Sequence, residues 1–490
     1  MRPTPLVHIL LLLTGCSLST VDVVDCDTNA ECRDAFGLGS VCTDAGTCDV
    51  VDLDARCETV FPTDLTLPID SATTHVIGTV FDHTLDTHVG RYQSAQLAVK
   101  QANDNGGLDT HDFAIIHCNN QDDTEDNVFD GLTKDDASVA VASFLADEIG
   151  VPAIVGPAAS SRTEQVHNEV AVPNDMLVVS PSATSPNLTP LGGATPQTPD
   201  LLWRTAPPDG AQAAAISFDM LNNVDADDSD PDVFRTAPAL DVGVVHQTGA
   251  YGAGLADVFR DTHTAAGGTV QTYPFENDTG RNDAIVDALA AGHDEVLFIS
   301  SEVTDNQGFI QSASTNPSTV PLFLPDAARN ADVLDTLINL GLPGFVDRLR
   351  GSAPASPSGN VYDGFVSAYA AEYDNANVAP LSFTAQSYDA AWLVIYGHAW
   401  AVANEDGLTG TNIARGLRRV SSGDPVDIRG SSWNAVKGAF ANGGSVDVTG
   451  ASGLLDFDPA TDETNAAVNI WLPSVPAIGA AEFRNVDLLE

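Results

Sequence analysis

From residue 73 onward, short apolar runs rich in β-branched residues alternate with stretches whose apolar positions repeat at helical spacing. Residues 75–80 read as a first strand. Ala95, Ala98, Val99 and Ala102 then fall at i, i+3, i+4 and i+7, one face of a helix that stops at the breaker Asn105-Gly106-Gly107. Residues 113–117 read as a second strand. Ala153–Val155, Leu177–Ser180, 242–246, 295–300 and Leu322–Leu324 follow as further strands, with helical runs at 211–222, 251–266 and 282–291 between them. This rhythm predicts α/β architecture with parallel sheets, because a parallel neighbour is reached through a crossover, usually a helix.

Two stretches rich in small residues and Pro, 191–200 and 351–359, interrupt the rhythm and are expected to carry the chain between substructures. After residue 428 the segments shorten, and 453–458 and 470–472 read as closing strands. At 490 residues the chain suits two or three domains, and its hydrophobic content of 43% is enough to bury cores. Sixty-eight acidic against 20 basic side chains give a formal charge of −48, which repels phosphate backbones and argues against nucleic acid as a partner. Asp supplies 54 of those acids and Lys only three of the cations, a balance that reads as a surface built for high salt, where counterions screen self-repulsion. An ordinary acidic secreted protein is the plainer reading. A third is cation capture at the acidic run 225–230, but that run lacks the turn Gly and distal Glu of an EF-hand loop.

The N-terminus has one Arg and then an apolar stretch ending in Leu13-Thr14-Gly15-Cys16, far shorter than the ~20 residues of a spanning helix. It resembles a bacterial lipoprotein signal, which makes residues 1–15 a signal peptide and Cys16 the lipidated residue of an anchored protein in the cell envelope. The alternative is a plain secretory signal with a chance Cys. Export makes the other six cysteines disulfide formers. Cys26, Cys32, Cys42 and Cys48 lie at C-x5-C-x9-C-x5-C in a stretch too short for a core of its own, so two bridges are expected there. Their spacing is too wide for the paired knuckles of structural zinc. Cys57 and Cys118 remain, and a bridge between them would tie the linker to the main body.

Several phrases appear in an order that carries a resemblance: AVKQANDNGG at 98–107, VPAIVGPAASSRT at 151–163, LVVSPSATSPNLT at 177–189, LWRTAPPDGAQ at 202–212, YGAGL at 251–255 and LLDFDP at 454–459. Over about residues 73–475 the chain resembles the type I periplasmic solute-binding proteins of ABC transporters, the group of the leucine/isoleucine/valine-binding protein. The resemblance implies two doubly wound parallel-sheet lobes joined by a hinge and preceded by a small disulfide-rich segment. The lobes are expected at 73–205 with 360–428 and at 206–359 with 429–490, after an anchored stem at 16–72. It also implies a small amino acid-like ligand, carboxylate or amide, held between closing lobes, and a membrane permease as partner.

Site residues follow from strand ends. Ser160 and Ser161 follow a strand and a Gly-Pro turn at the start of a helix, where hydroxyls, free N–H groups and the helix dipole favour an anion. By the resemblance, Ser160 falls on a ligand carboxylate, and Ser182, Ala183 and Thr184 in a second loop touching carboxylate and amine. The alternative for the Ser160 and Ser161 pair is helix capping. Tyr251 opens a helix in the second lobe and is expected to cover the ligand or to pack under its loop. Glu302 and Asp326 end strands where open α/β sheets place ligands, and either acid could pair with an ammonium. Phe81-Asp82-His83 replaces a small-residue loop common in relatives, with His83 read as a rim residue. Arg204 and Asp209 match an Arg-then-Asp pattern at the first crossover of the family the chain resembles, where Asp209 reads as a helix cap first and a hinge or binding residue second. No H-E-x-x-H, G-x-S-x-G, P-loop or post-strand G-x-G-x-x-G is present, so neither enzyme nor cofactor nor metal is expected. The competing function is a surface lipoprotein of the same fold that senses or scaffolds without transport.

Overall fold

The structure is a computed structural model, and it describes residues 25–489 except 126, 190, 192, 226–231, 233–234, 356, 465–466 and 477–479. The signal, Cys16 and most of the acidic run 225–230 lie outside the described residues. No helix among those described is long and apolar enough to cross a membrane.

The first lobe is built on a six-stranded sheet in the order Thr59–Phe61, Asp112–Asn119, Thr74–Phe81, Ala153–Val155, Leu177–Ser180, Leu202–Arg204. All neighbours are parallel except Thr59–Phe61, which runs antiparallel on the edge. The strands read as continuous apolar runs because both faces are covered. Ile77, Phe113 and Val155 pack on one side with Trp203 and Trp392, while Val76, Ala114 and Ile154 pack on the other with Val166 and Val170. Helices Asp86–Asp104 and Thr384–Asn404 lie on the first of these faces, and the second is apolar enough to be buried from Thr384 to Ala401 without a break.

The second lobe has a seven-stranded sheet in the order Thr269–Phe275, Asp241–Gln247, Glu295–Ile299, Leu322–Leu324, Leu349–Pro354, Val468–Ser474, Glu482–Leu489. The first five are parallel and the last two antiparallel. Two core clusters again cover its two faces, one around Phe298 and Phe309 and the other around Val244 and Phe259.

Two expected boundaries move. Residues 191–200 do not carry the chain across, since Leu202–Arg204 still pairs with Leu177–Ser180. The chain leaves afterwards, and helix Asp209–Asn222 packs Ala213, Ile216 and Met220 into the second lobe. The 351–359 crossing is observed, because Leu349–Pro354 belongs to one sheet and Phe365 and Tyr369 to the opposite core. Residues 429–457 belong to the first lobe instead of the second. Trp433 stacks 5.9 Å from Tyr396, meets Trp392 edge-on and donates its Nε1–H to the Gly107 carbonyl at 2.8 Å. Val446 and Val448 of the small sheet Asp424–Asp427, Val446–Gly450, Gly453–Leu454 share that core. Only the last two strands return to the second lobe.

The Cys-rich segment carries the bridges Cys26–Cys42 and Cys32–Cys48, and Cys57–Cys118 ties its end to the first lobe. It docks on that lobe: Asn29 and Arg33 donate to the Asp147 carbonyl at 2.8 and 2.9 Å, and the Gly39 N–H donates to Ile149 O at 3.0 Å. Because Trp433 fills a core of rings with its indole N–H satisfied, Trp433→Ala should cost about 3–5 kcal/mol of first-lobe stability, read as an earlier denaturant midpoint.

Candidate functional site

In both sheets the parallel strands point their C-terminal ends at the gap between the lobes, and a cleft of about 730 Å³ lies there. On the first-lobe wall, Ala153–Val155 ends at Gly156, which holds φ +99°, and a Cβ there would stand 2.6 Å from Val80 O, so only glycine permits this approach. The turn delivers Ser160 to the cleft, its Oγ accepting the Ser185 N–H at 3.2 Å. Leu177–Ser180 delivers Ser182, also on the wall, whose hydroxyl donates to Ala158 O at 2.9 Å. Ser180 locks the two loops together by donating to Pro157 O at 2.6 Å and accepting the Ala183 N–H at 3.1 Å. Ser161 is half-buried and off the wall, Ala183 is core, and Thr184 is buried behind the surface. His83 is half-buried against Tyr92, and it too stands off the wall.

On the second-lobe wall, Tyr251 lies in helix Ala250–Ala265 and donates a short hydrogen bond to Asp326. Its ring is also part of a core cluster, so it both packs and faces the cleft. Asp326 sits at the end of Leu322–Leu324 and accepts a second bond from Gln212 Nε2 at 3.3 Å. Burial nevertheless raises its pKa. Behind it is Asp209, wholly buried, without an ion pair to any described residue and with the Thr184 hydroxyl as its nearby donor, outside ordinary hydrogen-bond geometry. Gln212 Oε1 is buried and unpartnered too. Burial first, and the Asp326 charge second, push Asp209 well above the ordinary carboxylate range, with the nearby Thr184 hydroxyl and Arg204 opposing. Buried carboxylates without donors are costly, and a cationic donor is what this end of the cleft lacks.

Glu302 lines the cleft but does not await an ammonium. Arg162 Nη2 donates to it at 2.7 Å and Lys134 Nζ stands 3.9 Å away. Both cations come from the first lobe, where Arg162 also holds Asp135 at 2.8 Å and Lys134 holds Asp82 at 2.7 Å. Burial would raise the Glu302 pKa, but Arg162 and then Lys134 overcome it and hold the carboxyl below its usual value. Glu302 is thus half of an ion bridge across the cleft. Two further hydrogen bonds span the lobes, from Ser185 Oγ to Ala250 O at 2.6 Å and from Ser382 Oγ to Arg329 O at 2.8 Å.

Arg91 and Phe383 are wall residues that the motifs did not mark. Arg91 is only 6% exposed and donates from Nε to Ser382 O at 3.1 Å and from Nη1 to Ser182 Oγ at 3.2 Å. Burial pulls its guanidinium down to about 9 against the opposing charge of Asp326. Phe383 lies 5.2 Å from that guanidinium and holds φ +62°, a left-handed backbone that costs a non-glycine residue. A signal for Arg91 exists in the sequence: it stands four residues before Ala95, on the stripe that is otherwise apolar.

No family model matches the chain, and no curated protein matches it. Solved structures do. The leucine-binding protein LivK from Thermotoga maritima is similar over 85% of this chain and 98% of its own, at 16% identity and a TM-score of 0.60. The branched-chain amino acid transporter substrate-binding protein LivJ from Streptococcus pneumoniae, solved with isoleucine, is similar over 84% of this chain and 100% of its own, at 18% identity and 0.58. A periplasmic binding protein type 1 from Bordetella pertussis reaches a TM-score of 0.61 at 16% identity, over 84% and 99%. At these identities the likeness is one of fold, and the chain has the type I periplasmic-binding fold that the sequence motifs implied.

Proposed function

We propose that the protein captures a small amino acid zwitterion between its two lobes and hands it to an ABC importer, binding without turnover. The observation that carries this reading is the acidic end of the cleft, where Asp326 and Tyr251 face the gap and Asp209 stands behind them with no ion pair to any described residue. An ammonium supplies three N–H donors and a positive charge, the complement of that deficit. Ser160 and Ser182, on the opposite loops, offer hydroxyls to the carboxylate end. The fold shared with LivK and LivJ supports the transport role, since those proteins are named for leucine binding and branched-chain amino acid transport. Cys16 would then tether the protein in the cell envelope through lipid, with the Cys-rich segment as a rigid stem under the first lobe. The acid excess suits a protein that works in high salt.

Closure brings Arg162 and Lys134 onto Glu302, so the ion bridge belongs to the closed state and biases the equilibrium toward it. Glu302→Gln should weaken ligand binding roughly fivefold by favouring opening, with a larger radius of gyration in solution scattering and an unchanged unfolding midpoint.

A thermal-shift screen of amino acids in molar salt tests the reading directly, since a ligand of the native state raises the melting temperature by mass action. A screen in which no amino acid stabilises the protein would refute it. The raised pKa values of Asp209 and Asp326 fix a sign. Each favours the fold most below the unfolded carboxylate range and loses that contribution as pH rises through its raised folded value. An ammonium guest stabilises the charged forms, so affinity should rise with pH across the same interval and protons should be released on binding. Asp209→Asn should raise unliganded stability at neutral pH by roughly 1–3 kcal/mol, weaken binding and flatten that pH dependence, measured by calorimetry in buffers of different ionisation enthalpy.

A further inference from the structure

The three cations of the cleft wall are not equivalent. Lys134 holds Asp82, and Arg162 holds Asp135 and Glu302. Arg91 makes no ion pair with any described residue; its two hydrogen bonds go to a carbonyl and a hydroxyl. A guanidinium has five N–H donors in a flat fork, so most of that capacity remains unspent on a side chain almost withdrawn from water. Its position is fixed from three sides, by the Ser382 carbonyl, by the Ser182 hydroxyl and by the Phe383 ring held in a strained backbone. A buried cation that is rigidly placed, lines a ligand-sized cleft and has Asp326 as an opposing charge only beyond ion-pair distance describes an anion receptor before the anion arrives.

We propose that Arg91 reads the guest's carboxylate, so that the site takes solutes with a free carboxylate and rejects their carboxamides. This rests on the reading of the cleft as an amino acid site and narrows it. A carboxylate offers two acceptor oxygens to the fork and neutralises the charge. A carboxamide offers one acceptor and turns its own N–H donors toward a donor, leaving the guanidinium buried and uncompensated. Ser182 contributes by orienting Arg91 as well as by touching the guest, because its hydroxyl is already engaged with Ala158 O and Arg91 Nη1.

The test compares wild type, Arg91→Met and Arg91→Lys in molar salt against the standard amino acids and their C-terminal carboxamides, by thermal shift and titration calorimetry. The expected result is an amino acid that binds wild type ~100-fold more tightly than its carboxamide. Arg91→Met should bind acid and amide within about threefold of each other, and Arg91→Lys should restore part of the preference, a charge without the fork. Unliganded Arg91→Met should melt no lower than wild type, because a buried charge without a partner has been replaced by an apolar chain of similar length. Equal binding of acid and amide by wild type would overturn the carboxylate anchor and leave solute capture standing. An Arg91→Met protein that melts lower but keeps the preference would reduce Arg91 to a prop for the 382–383 loop. If amides alone stabilise wild type, the anchor falls while capture survives; if neither series does, both fall.

Discussion

Holding charge out of water without a partner is the constraint around which this molecule is arranged. Elsewhere the fold satisfies its buried acids thoroughly. Asp219 meets Arg235 at 2.7 Å and Arg350 at 2.9 Å, and Glu295 meets Arg235 at 2.6 Å. Asp123 accepts backbone N–H groups from Val128, Phe129, Asp130 and Gly131, and Asp389 accepts those of Ala451 and Ser452. A chain that can surround Asp123 with donors is not forced to leave Asp209 with little more than the Thr184 hydroxyl. The deficit at Asp209 and the surplus at Arg91 are therefore local to the cleft, and the cores on either side carry their cost.

Those cores position the deficit because each lobe is a parallel sheet buried on both faces. Strand ends are then rigid points, and the loops that follow them are held by short side-chain bonds such as those of Ser180. The walls cannot adjust much to a guest, so recognition falls to relative motion of the lobes. Arg204, near the first crossing of the chain between the lobes, is paired to Glu463, near the last, which links those two crossings.

The strands were legible because continuous β-branched runs are the signature of two-sided burial; Ser160, Tyr251 and Asp326 were legible as cleft-wall residues from following strand ends, and Ser182 through the family resemblance. What escaped depends on contacts between distant parts of the chain. Glu302 looks like any exposed acid until Arg162, 140 positions away, is brought opposite it. Trp433 sits in text that resembles a closing strand pair, and only the indole's fit against Tyr396 and Gly107 decides which lobe claims it. Arg91 was hidden by its helix, where a basic residue is ordinarily a solvated one. The loop at 191–200 has the composition of a crossing, but the strand after it still finds a partner in the first sheet.

The same separation of charge governs both closure and the orientation of a guest. With a formal charge of −48, two lobes approaching each other repel over most of their surfaces. At the cleft this is reversed. The first-lobe wall carries Arg91, Lys134 and Arg162 beside Asp122, Glu125 and Asp135, whereas the second-lobe wall presents Asp278, Glu302 and Asp326 and, among the described residues, no basic side chain. The attraction is carried by Arg162 and Lys134 against Glu302, and it strengthens as water leaves the gap. On the proposed reading, a zwitterion replaces that water with its carboxylate toward Arg91 and its ammonium toward Asp326. The opposite orientation would set an ammonium against Arg91 and a carboxylate against Asp326, so these two side chains would select which way the guest lies.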